Sequence, residues 1–133
     1  MIFIALAFVL GLLQPIPVTL SAGARWVGFG LAAFGFLLGI LALTAFRKAR
    51  QTSSKPALIT WGVYRLSRNP IALGFVLMLI GLPLNGGSVW GLLLAPALMV
   101  SFNLFVIQPE EKILTSRFGK EYEAYKTRVR RWL

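Results

Sequence analysis

Residues 71–107 read IALGFVLMLIGLPLNGGSVWGLLLAPALMVSFNLFVI, an apolar stretch interrupted at Pro83, Asn85, Gly86, Gly87 and Ser88. A bilayer crossing takes about 20 apolar residues, so this stretch is too long for one span and suits a helical hairpin that turns at the interruption. Its halves are read as spans near residues 70–84 and 88–107. The first is short for a bilayer and is expected to be tilted, re-entrant or extended by its flanks.

Two more apolar runs precede the hairpin. Trp26 to Phe46 is an uninterrupted span near residues 26–46, with Gly28, Gly30, Gly35 and Gly39 spaced to let another helix approach closely in lipid. Ile2 to Leu20 contains Gln14, Pro15 and Pro17, which weaken a helix but are tolerated inside a bundle, and it reads as a kinked span near residues 2–20. The rival for that run is a cleaved signal peptide, because Ser21, Ala22, Gly23 and Ala24 follow it; the basic segment that should precede such a peptide is missing.

With 57% of its residues hydrophobic, the chain falls outside the range of soluble domains. The expected architecture is an all-α integral membrane protein, a single membrane domain over residues 1–133. It has about four transmembrane helices, a loop over 47–69, and C-terminal amphipathic helices over 109–131. Arg47, Lys48, Arg50, Lys55, Arg65 and Arg68 lie between the second and third spans, seven more Lys and Arg follow the fourth, and Arg25 alone lies on the other side. The positive-inside rule then predicts a multi-pass protein with both termini, the long loop and the tail in the cytoplasm. The net charge of +10 is explained by topology and by attraction to anionic membrane lipids, so it calls for no nucleic-acid partner.

Cysteine, histidine and aspartate are all absent from the chain. No thiolate or imidazole metal site, no histidine-ligated haem and no Ser-His-Asp or Cys-His arrangement can be built, and no metal is expected. Chemistry must come from Glu, Lys, Arg, Tyr, Ser, Asn, the backbone or a bound cofactor. Two polar stretches supply these: Thr60 to Pro70, TWGVYRLSRNP, and Pro109 to Trp132, PEEKILTSRFGKEYEAYKTRVRRW.

In the first stretch Asn69 and Pro70 suit the cap and the first position of the third span. Capping accounts for those two alone. Tyr64 and Arg68, one helical turn apart, precede the same cap and would put a ring and a guanidinium beside the free amides of a helix start, a corner suited to an anionic group and an adenine-like ring. In the second stretch the adjacent Glu110 and Glu111 either balance Arg65, Arg68 or Arg117 at the surface, or hold a ligand ammonium or ribose hydroxyls. Apolar residues recur at Ile113, Leu114, Phe118, Tyr122, Tyr125 and Val129, with a break near Gly119, which predicts interfacial amphipathic helices able to cover a site.

Together, the GxYRxxRNP turn, the glycine-rich hairpin and PEExxLxxxFGxEYxxYxxRV resemble the isoprenylcysteine carboxyl methyltransferase and phospholipid methyltransferase superfamily over about Trp61 to Val129. The resemblance implies S-adenosylmethionine bound on the cytoplasmic side and a lipid-like or isoprenoid small-molecule substrate entering from the membrane. It implies a cofactor pocket drawn from Gly62, Val63, Tyr64, Arg68, Asn69, Pro70, Glu110, Glu111 and Leu114. Arg128 matches an arginine of the closing segment that could meet a substrate carboxylate. Asn69 stands where many members have histidine and cannot titrate; Ala72 replaces a frequent tyrosine. Methyl transfer from a sulfonium needs alignment more than acid-base groups, and a carboxylate acceptor, ionised at neutral pH, needs no base.

Three other readings compete. A membrane sterol or enone reductase using NADPH shares carboxyl-terminal features with this superfamily, but its Gly-Glu after Asn-Pro is here Gly74 followed by Phe75. A small proton-coupled exporter needs an ionisable residue within a span, where this chain offers Gln14 and Asn103. A non-catalytic membrane scaffold would leave the Glu110 and Arg68 constellations without a use.

Overall fold

The computed structural model describes residues 6, 9, 10, 20–52, 57–86 and 88–133, and the regular structure among them is helical throughout. The kinked span expected near residues 2–20 lies, apart from those few positions, outside the described residues. Helix α1 spans Ala22–Thr52, α2 spans Pro70–Asn85 and α3 spans Trp90–Phe102. A π turn at Asn103–Ile107 joins α3 without a break to α4 at Gln108–Phe118, and α5 covers Lys120–Arg128. A short 3-10 turn, Gly62–Arg65, precedes α2.

Two helical stretches, Ala22–Gln51 and Trp90–Phe118, are long and apolar enough to cross a membrane, and α2 is a shorter apolar helix between them. Phe29, Phe34, Phe36 and Phe105 point outward, as side chains facing lipid do. Lipid is as apolar as these side chains, so the helices gain little by hiding them from it. Close packing of backbone and small residues has to hold the bundle instead.

The packing of α1 on α2 shows how this is done. A Cβ added to Gly35 would stand 2.6 Å from the Gly74 carbonyl oxygen, and one added to Gly81 would stand 2.5 Å from the Ala32 nitrogen. Only glycine permits that approach. Gly28 and Gly35 serve the contact as the spacing predicted, whereas an added Cβ at Gly30 or Gly39 meets nothing. Helix α3 packs on the other side of α2, burying Val76, Leu79, Ala95 and Leu98 together, and Trp132 from the chain's end covers this cluster.

The fourth span was expected to end near Ile107, with separate helices beginning at Pro109. The helix instead continues to Phe118. Gln108 donates its N–H to the Asn103 carbonyl, the wide spacing of a π turn. The missing donor of Pro109 then falls where the hydrogen-bond register changes, at the start of α4, so the proline does not end the helix.

Candidate functional site

One end of the bundle holds a cavity of about 480 Å³, a size ordinary for a small-molecule site. Phe46, Ala49 and Arg50 from the last turns of α1 form one wall, and residues 57–59 run along it. Tyr64, Arg68 and Asn69 close the side before α2. Glu110, Glu111, Leu114, Arg117 and Phe118 come from α4, and Tyr122 and Tyr125 from α5. On α4 these positions recur every three or four residues, so one face of the helix lines the cavity.

Gly119 makes the turn from α4 to α5. Its φ of 49° with ψ of −120° is a conformation that side-chain-bearing residues avoid, and an added Cβ would meet nothing. The glycine is therefore required by the backbone path rather than for room. That path folds α5 back over the cavity, where Tyr122, Tyr125 and Val129 pack with Leu58, Leu114 and Phe118.

The tail is tied down by specific bonds. The Tyr125 hydroxyl donates to the Tyr64 carbonyl at 2.6 Å. After α5 the chain becomes extended at Val129 and returns to the turn before α2. There the Arg68 N–H donates to the Arg130 carbonyl at 3.0 Å, and the Ser67 hydroxyl donates to the Arg131 carbonyl at 3.1 Å. Ser67 is fully buried, and its oxygen also accepts from the Asn69 N–H at 3.1 Å.

Arg131 thereby reaches α4. Its Nε and Nη2 donate to the two oxygens of Glu111 at 3.1 and 2.6 Å, and its Nη1 donates to Asn103 Oδ1 at 2.9 Å. Arg68 Nη1 stands 3.1 Å from the same carboxylate, with side chains 12% and 15% exposed. That pair is held by charge without hydrogen-bond alignment, so Arg68 Nε and Nη1 remain buried donors lacking an acceptor. Glu111 is thus shared by two guanidiniums, one of them among the three arginines expected to balance the pair.

Glu110 is different. It opens onto the cavity and forms no ion pair among the described residues. It lies on the helical stretch Trp90–Phe118 beyond Ile107, with its side chain exposed. Burial, helped by Glu110, pushes Tyr64 up to about 12; burial followed by Tyr122 does the same to Tyr125. These rings stay neutral at any physiological pH.

Of the residues expected to form the pocket, Tyr64, Arg68, Asn69, Glu110, Glu111 and Leu114 meet around the cavity. Asn69 takes the N-cap position of α2 with Pro70 next, yet its side chain makes no capping hydrogen bond and is left to the cavity. Gly62, with φ of 62°, Val63 and the fully buried Pro70 shape the turn without lining the cavity. Arg128 does not reach it either: it is exposed and donates from Nε to the Ala124 carbonyl of its own helix at 3.2 Å. The sequence reading missed Phe46, Arg50 and Arg131. A signal existed for the first two, since they stand four residues apart at the basic end of α1.

The model of the phospholipid methyltransferase family matches residues 24–121, from the first turn of α1 to the start of α5. A stretch of 31 residues is 58% identical to an uncharacterized protein of Haemophilus influenzae and covers 23% of this chain and 49% of that protein. The chain therefore spans about half the length of this curated relative. No solved structure matches.

Proposed function

The chain belongs to the phospholipid methyltransferase family, and from that premise we propose that it is a membrane methyltransferase using S-adenosylmethionine to methylate a lipid-like acceptor. The observation that carries the reading is Glu110, a carboxylate with no cationic partner among the described residues, in a cavity that also holds buried N–H groups of Arg68 without acceptors. An amino-acid ligand bearing a cation and a carboxylate fits that donor set.

In this arrangement Glu110 holds the cationic end of the cofactor and Arg68 its carboxylate. The rings of Tyr64 and Phe118, half-buried on the cavity wall, offer faces for adenine, and the Asn69 amide offers hydrogen bonds for ribose hydroxyls. When bound, the cofactor supplies an electrophilic methyl group on a sulfonium sulfur. The chain's task is then to bind, to orient and to exclude water. Glu111, fixed by Arg131 and Arg68, holds Arg68 in place, and α5 covers the cavity against solvent.

Calorimetric titration of the detergent-solubilised protein with S-adenosylhomocysteine, with NADPH as control, tests the reading. Saturable binding of the first, weakened in Glu110→Gln, is expected. Binding of NADPH alone would move the chain to the reductases, and binding of neither would remove the cofactor site.

A further inference from the structure

Building on the cofactor reading above, we propose that Arg50 and Arg117 form an anion-binding subsite of the cavity that holds the acidic headgroup of the lipid acceptor. The two residues come from different elements, the last turn of α1 and the last turn of α4, and both line the cavity. Both are exposed, and neither forms an ion pair among the described residues. A basic residue in a last helical turn is favoured by the helix dipole. That interaction accounts for each arginine separately and does not require two helix ends to direct their arginines to one cavity.

Charge balance gives the pair its use. The cavity wall carries Arg50, Arg68 and Arg117 against Glu110 and Glu111. The Glu111 charge is already shared between Arg68 and Arg131. Glu110 is the remaining carboxylate, and a cationic cofactor engages it. Arg50 and Arg117 are then uncompensated. A phosphate or carboxylate on the acceptor supplies the missing negative charge. Guanidinium forks suit both anions, since two parallel N–H groups match two oxygens. The Arg50 guanidinium also lies 5.9 Å from the Phe46 ring, which lines the same wall, so an apolar surface adjoins the charge as a lipid headgroup requires.

The test uses the full chain in detergent, titrated with dihexanoylphosphatidic acid, dihexanoylphosphatidylcholine and inorganic phosphate. Arg50→Gln and Arg117→Gln are compared with Arg47→Gln, an exposed arginine at the same helix end that does not line the cavity. Circular dichroism checks that each variant is folded. Saturable binding of the phosphatidic acid is expected, weakened about tenfold or more in either cavity variant and unchanged in Arg47→Gln. Equal loss in Arg47→Gln would reduce the effect to general attraction of basic residues for acidic lipid and overturn the subsite. Equally tight binding of inorganic phosphate or of the phosphatidylcholine would overturn the assignment to an acidic lipid. S-adenosylhomocysteine affinity is read in the same samples and should not change in the arginine variants. Its absence, with phosphatidic acid still bound through Arg50 and Arg117, would remove the cofactor reading alone. Its presence, with lipid binding indifferent to both arginines, would remove the subsite alone.

Discussion

Replacing Glu111 by glutamine should destabilise the protein more than it weakens the cofactor. Glutamine keeps the shape of the side chain but loses the charge and turns one oxygen into a donor facing Arg131. Two charge-assisted bonds from Arg131, at 3.1 and 2.6 Å, and the 3.1 Å pair with Arg68 are affected. Hydrogen bonds to charged groups contribute about 1.5–3 kcal/mol each. Arg131 is 34% exposed, so water recovers part of its loss, and we count its two bonds as about 2 kcal/mol in all. Arg68, 12% exposed, is left as a charge without a counterion, which brings the expected destabilisation to about 2–4 kcal/mol. Denaturant unfolding in mixed micelles, followed by circular dichroism, measures it. Arg131→Met should cost less, because it removes its own charge together with the bonds and leaves the Glu111–Arg68 pair. If Glu111→Gln unfolds within about 0.5 kcal/mol of the parent, the clamp is not a stabilising element and the reasoning fails.

Three further outcomes are expected. Glu110→Gln should weaken S-adenosylhomocysteine binding about tenfold while leaving stability nearly unchanged. Gly35→Leu forces a side chain against the Gly74 carbonyl and should cost about 1–3 kcal/mol or prevent folding, whereas Gly30→Leu, where nothing lies within 4 Å, should be tolerated in the same unfolding assay. Tyr64 and Tyr125 titrate near 12 when folded and near 10 when unfolded, so the unfolded state loses protons first and stability should fall as pH rises from about 10 to 12; Tyr125→Phe should reduce that slope, and melting curves across this range would show it.

Much of the bundle was legible in the sequence because lipid solvent imposes simple rules. An apolar stretch broken at Asn85 and Gly86 must turn there, and α2 ends at Asn85. Small residues recurring along α1 announce close packing, although the pattern alone does not say which of them face α2. The cavity was legible where local chemistry was unusual: an acidic pair in a basic chain, and a tyrosine and arginine ahead of a helix cap. Its remainder depends on chain reversals that local pattern does not encode. The resemblance singles out Arg128, but α5 ends there and the extended backbone at Val129 turns the next residues back. Arg131, not Arg128, is then the residue that reaches across and bonds Glu111. Buried Ser67, which anchors that return, carries no mark in a sequence window of its own.

The π turn links these non-local parts. Asn103 and Glu111 stand eight positions apart, and in an unbroken α-helix that separation turns through about 800°, placing them roughly 80° apart around the axis. The turn at Asn103–Ile107 absorbs one residue, so the effective rotation is about 700°, within about 20° of two full turns. Asn103 and Glu111 come onto nearly one face, and a single guanidinium, that of Arg131, can bond both. Glu110, the preceding residue, is rotated by about 100° from that face and stays clear of the clamp, although both carboxylates line the cavity. The same one-residue irregularity that lets the helix pass Pro109 thus separates the roles of two adjacent carboxylates, one fixed by arginines and one left available to a ligand.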